Sequence, residues 1–179
     1  MARWLMLLML LWSGTAVAQG RGAEPGIAAF YGRWVGGGLS ESDTSSTFRL
    51  TQRDFDVEIQ PDGDGFRVIW TTVQRQKGDP LNPNIVRRQT TVGFRPTPER
   101  NVWAGADNAD PLVGKPYVWA RLERQSLVVT TMTIEPGGKW EMQIYRRTLS
   151  DLGMKLVYTR LADGEQLRTS MGRLTKHSR

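Results

Sequence analysis

Tyr158 and Arg160 stand two residues apart in the C-terminal quarter of the chain. That spacing puts a phenol and a guanidinium on one face of a β-strand. A guanidinium stays charged at neutral pH and donates in a fixed fork that fits a carboxylate or a phosphate. Enclosed among apolar side chains, the pair would grip the head of a small amphipathic anion, fatty-acid-like or of another kind. The remaining inventory is thin. There is no cysteine and a single histidine, His177, in a basic C-terminal run. Gly-x-Ser-x-Gly and His-Glu-x-x-His are both missing. Asp54, Asp56 and Glu58 alternate with Phe55, Val57 and Ile59, so these acids face away from the apolar stripe. Asp62-Gly63-Asp64-Gly65 lacks the spaced ligands and closing glutamate of a calcium loop and reads as a turn. The chemistry expected is binding without catalysis, metal or cofactor.

The elements that must position Tyr158 and Arg160 lie within residues 115–176, which read as five antiparallel strands. Arg124-Gln125, Pro136-Gly137-Gly138, Ser150-Asp151-Leu152-Gly153 and Asp163-Gly164 separate them. An Asp-Gly pair between extended runs is the strongest short hairpin signal. A two-residue turn there predicts Arg160 opposite Leu167 and Tyr158 opposite Thr169. A five-residue connection through Pro136 predicts Ile134 opposite Trp140 and Met132 opposite Met142. One face then collects Tyr117, Trp119, Met132, Trp140, Met142, Ile144, Leu156, Tyr158, Arg160 and Met171. Being the bulkier and more apolar, it is the expected interior. Tyr117, Met132, Trp140 and Met142 are thus expected to line a ligand site headed by Arg160 and Tyr158. Arg121, Arg146 and Glu123 would form an ion-pair plug at the other end. The opposite face holds Glu141, Gln143, Tyr145, Arg147, Arg168 and Ser170, together with Val118, Leu122 and Val129 as an outer apolar patch.

Upstream, residues 54–60 and 65–72 form a hairpin predicted to set Phe66 opposite Ile59, Val68 opposite Val57 and Trp70 opposite Phe55. A short strand over 47–52, another over 85–94 and one over 100–104 complete about ten. Residues 77–84 and 105–114 are loops by composition, the second a candidate lid. Many short strands with hairpin links predict an all-β, up-and-down antiparallel barrel; a two-sheet sandwich is the alternative.

Residues 1–18, with Arg3, an apolar run and Ala16-Val17-Ala18, read as a signal peptide, too short to span a membrane. Residues 19–29 are then a tail, 30–175 the barrel and 176–179 a basic tail. The expected location is periplasmic or secreted. The formal net charge of +6 suggests attraction to an anionic envelope surface, and no nucleic-acid partner is expected. The alternative to ligand binding is a protein-binding or inhibitor module that uses the loops or the outer apolar patch.

Gly32-Arg33-Trp34, ahead of this run of strands, resembles the opening of the calycins, the lipocalin and fatty-acid-binding-protein group. Gly32-x-Trp34-x-Gly36-x-Gly38 is similar to the haem-binding nitrobindins. The resemblance implies a ligand-holding barrel and a clamp in which Trp34 packs under an arginine of the last strand, here Arg173. It would also imply an axial histidine for haem. His177 lies in the terminal run, so haem is not expected.

Overall fold

The computed structural model describes residues 25–43, 50–75 and 85–177. The expected signal peptide, Phe48 of the predicted 47–52 strand, and the 77–84 loop lie outside them. Ten strands form one sheet among the described residues. They are β1 Gly32–Ser42, β2 Leu50–Asp62, β3 Gly65–Arg75, β4 Ile85–Pro96, β5 Val102–Gly105, β6 Tyr117–Glu123, β7 Ser126–Ile134, β8 Trp140–Ser150, β9 Gly153–Ala162 and β10 Glu165–His177. Each pairs antiparallel with the next, and β1 pairs with both β2 and β10, which closes the barrel. Closure gives every strand a neighbour on both sides and rules out the sandwich, although β4 meets β5 only over Phe94, Arg95 and Pro96. β10 runs to His177, two residues into the expected tail.

Closure depends on glycine. Gly36 and Gly38 face inward on β1, and a Cβ on either would collide with the backbone of β10 at Arg173 or Met171. At the β9–β10 turn, Asp163 and Gly164 take φ of 49° and 89°, as a two-residue hairpin with both central residues left-handed requires.

One end of the barrel is solidly apolar. Trp34, Val57, Ile59, Phe66, Val68, Phe94, Leu127, Val129, Met154 and Leu174 fill it, and Phe30 plugs it from a 3-10 turn, Ile27–Phe30. Each such side chain contributes about 1.5–3 kcal/mol on burial. Phe66 stacks on Phe94 at 4.8 Å and meets the Trp103 ring edge at 5.3 Å. Trp34 donates its indole N–H to the Phe30 carbonyl at 2.9 Å. The cation over its ring is Lys176, at 5.3 Å, and not the expected Arg173. Register explains this: Lys176 sits directly opposite Trp34, whereas Arg173 sits opposite Gly37 on the outer face.

The register also reverses much of the expected interior. β8 and β9 join through the two-residue turn Asp151-Leu152, which sets Leu149 opposite Met154 and Tyr145 opposite Tyr158. β8 therefore turns Glu141, Gln143, Tyr145 and Arg147 inward with Tyr158 and Arg160, and turns Trp140 and Met142 outward. The same alternation carries across β7 and β6. Val118, Leu127 and Val129 are buried inside, Leu122 packs against that core, and Tyr117 and Met132 are outside. In β10 a bulge between Gln166 and Arg168 absorbs Leu167. One extra residue inverts the strand, so Arg168 and Ser170, not Leu167 and Met171, point inward. In the β2–β3 hairpin the turn is shorter than expected: Phe66 faces Pro61, Val68 faces Ile59 and Trp70 faces Val57. A two-residue slip preserves the faces, so that apolar stripe is interior as expected. Arg121, Arg146 and Glu123 do pair, but on the outer wall rather than as an internal plug.

Candidate functional site

The half of the lumen away from Phe30 holds a cavity of about 380 Å³, within the range of small-molecule sites. Its apolar lining comes from Phe55, Val57, Trp70 and Leu156. Among the described residues its charged lining is one-sided: Arg53, Arg88, Arg147, Arg160 and Arg168 against a single carboxylate, Glu141.

Arg147 is the centre of this arrangement. β8 delivers it to the inner face, where it is 1 % exposed. Its guanidinium carbon lies 5.4 Å from the ring centroids of both Trp70 and Tyr145, so two aromatic rings provide part of its solvation. Its Nε and Nη1 reach no hydrogen-bond acceptor among the described residues. Burial pushes its pKa down to about 10, with the Tyr145 phenol opposing that shift. The side chain therefore remains a cation at neutral pH. A buried charge with unfilled donors is unfavourable by several kcal/mol unless something compensates it.

Beside it runs a connected polar chain. Arg160 Nη2 donates to Glu141 Oε2 at 2.5 Å, Gln143 Nε2 donates to Glu141 Oε1 at 2.7 Å, and the Tyr145 hydroxyl donates to Gln143 Oε1 at 3.0 Å. The Arg160 hydrogen bond holds the Glu141 carboxyl below its ordinary pKa, with help from Gln143. Burial pushes the Tyr145 phenol up despite the adjacent Arg147 charge, and burial also raises Tyr158, with the Tyr145 interaction adding to it. Trp70, Tyr145 and Tyr158 form an aromatic ladder, with centroids 5.1 Å and 4.8 Å apart.

Of the six residues expected to line the site, Arg160 and Tyr158 do so. Tyr117, Met132, Trp140 and Met142 do not: they lie on the outer wall, where Tyr117 meets Trp119 at 6.2 Å. Arg160 is not left free to grip a head group, because Glu141 on the neighbouring strand takes it. In the 105–114 loop, Asp110 caps the short 3-10 turn Pro111–Val113 by accepting from the Leu112 amide at 2.9 Å. The 105–114 loop is pinned to β6 through paired Asn108–Val118 hydrogen bonds of 2.8 and 2.7 Å and contributes nothing to the cavity lining. It is not a lid.

The residues that sequence reasoning placed outside are Arg147, Arg168, Glu141, Gln143 and Tyr145. A usable signal existed. An even-numbered turn between Leu149 and Met154 ties Tyr145 and Arg147 to the face of Tyr158 by count alone.

No known family profile matches the chain, and no curated protein does. Among solved structures, it is similar to the S-type phycobiliprotein lyase CPES from Guillardia theta. The match has 10 % sequence identity and a TM-score of 0.39, and covers 86 % of this chain and 91 % of that one.

Proposed function

We propose that this chain is a non-enzymatic binding protein that holds a small amphipathic anion inside the barrel, with the acidic group on Arg147. One observation carries the reading. A fully enclosed guanidinium, without an acceptor for two of its nitrogens among the described residues, lines a cavity large enough for a ligand. A carboxylate or phosphate there would complete its hydrogen bonds and neutralise its charge. The apolar body of the ligand would lie along Phe55, Trp70 and Leu156. Arg160, already taken by Glu141, orders the opening instead of anchoring the head. Among the described residues of the lining the one carboxylate, Glu141, is held by two donors, which fits a binding role. The expected signal peptide supports a periplasmic or secreted location.

Calorimetric titration with dodecanoate tests this directly. Wild type should bind, and Arg147→Met should bind at least about tenfold more weakly, the loss of one charge-assisted hydrogen-bond pair. Equal affinity in a variant that melts cooperatively would remove Arg147 as the anchor.

A second reading, docking of a protein partner, rests on the outer wall. Tyr117, Trp119, Met132, Trp140 and Met142 face outward there, beside Leu112 and Val113, which are 74 % and 66 % exposed. Capture of an envelope protein that survives Arg147→Met but is lost in Leu112→Asp/Trp140→Glu would favour it. Capture unaffected by the double substitution would count against it.

A further inference from the structure

The lumen contains a second cationic point that a single acidic head group at Arg147 leaves unanswered. Arg147 sits opposite Leu156 on β9, and Arg168 sits opposite Arg160. Those two β9 positions are four residues apart, roughly 13 Å at about 3.3 Å per residue. Arg168 reaches the inner face only because the β10 bulge at Leu167 puts it there. Its Nε is buried and, like the two Arg147 nitrogens, meets no acceptor among the described residues. Arg53 and Arg88 line the same cavity. The Arg53 guanidinium is pushed down first by burial and then by the charges of Arg168 and Arg88, so these three groups share one electrostatic neighbourhood. Among the described residues of the lining the only carboxylate, Glu141, is held by Arg160 and Gln143. Tyr158 stands between the two points, opposite Tyr145 on one side and Ser170 on the other.

We infer that the barrel selects a dianion: an apolar or planar body carrying two acidic groups, one seated on Arg147 and the other on the Arg168 cluster. The inference rests on the binding reading above and narrows its ligand class. A monoanion satisfies Arg147 but leaves like charges crowded at Arg168. A neutral tail in that position would desolvate the Arg168 guanidinium without filling its Nε–H. A second acid reverses both penalties.

A matched pair of probes, dodecanedioate and dodecanoate, separates the two levels of the argument. In calorimetric titrations of wild type, the diacid is expected to bind about tenfold or more tightly than the monoacid, the strength of a charge-assisted hydrogen bond. Arg168→Gln should weaken the diacid by at least about fivefold and leave the monoacid no weaker than in wild type, because the neutral tail then meets one charge fewer. Thermal melting confirms that the variant is folded. Equal wild-type affinity for the two acids, with dodecanoate still dependent on Arg147, overturns the dianion and leaves the simpler reading standing. Parallel weakening of both acids by Arg168→Gln overturns the assignment of a second subsite. Failure of both acids to bind overturns both readings.

Discussion

The two halves of this barrel's interior belong to one closed sheet and differ in almost every physical respect. Toward Phe30 the lumen is dry and filled: Phe66, Phe94 and Trp103 interlock, and the Trp34 indole N–H has its acceptor. Away from it β8, β9 and β10 present Arg147, Tyr145, Tyr158, Glu141 and Arg168 around a cavity. The first half supplies the free energy of folding. The second holds charge away from water, which opposes folding, and the proposed anion is what would compensate it. Sites that oppose folding in this way are where proteins keep function at a cost in stability.

Substitutions in the two halves should therefore act with opposite sign. The largest effect is expected in the filled half. Phe66→Ala removes a ring that stacks on Phe94 and should destabilise by about 3–5 kcal/mol in urea unfolding. A loss under about 1 kcal/mol would mean that this end is not close-packed. Arg147→Met, a deeper change chemically, should raise the stability of the ligand-free protein by about 1–3 kcal/mol in the same assay. The pH dependence carries the sign. The folded pKa of Arg147 is lowered, so the charged form weighs against the fold at every pH below about 10, and relief begins only as pH rises through that value. At neutral pH the full penalty is present for the substitution to remove. Destabilisation by Arg147→Met would show that contact with Trp70 and Tyr145 outweighs the desolvation.

The smallest effect concerns Glu141. Its folded pKa is depressed, so the Glu141–Arg160 pair contributes stability above the unfolded carboxyl value near about 4.3, and that contribution fades as pH falls through the folded value. Wild type should lose more stability than Glu141→Gln across that acid window, read from melting temperatures. Parallel curves for the two proteins would show that the pair is solvent-screened and contributes little, as exposed ion pairs usually do.

Much of the fold was legible in the chain, and less of the site. The all-β class, the strand number, the two-residue Asp163-Gly164 turn and the inward Phe55–Val57–Ile59 stripe all follow from alternation and turn chemistry. So does the pairing of Met132 with Met142. What alternation could not choose was which side of β6, β7 and β8 faces inward. Bulk and hydrophobicity favoured Tyr117, Trp119, Trp140 and Met142. The inner side of β8 is the more polar one because it lines a cavity and not a core. The Leu167 bulge compounded this: it reverses β10 within a hairpin whose turn was read correctly, and nothing in residues 165–168 marks it. Arg160 and Tyr158 were placed inside by counting along β9. The partner of Arg160 and the burial of Arg147 both depended on the neighbouring strand's register.

The central claim is that an anion completes the hydrogen bonding of the Arg147 guanidinium. Side-chain ¹⁵N–¹H NMR reads that group directly, with its Nε–H resonance assigned by its disappearance in Arg147→Met. Addition of dodecanedioate should shift the Arg147 resonance and slow its exchange with solvent, while Arg173, on the outer face, stays unchanged. An Arg147 resonance that holds its position at saturating ligand, while others move, would contradict the account.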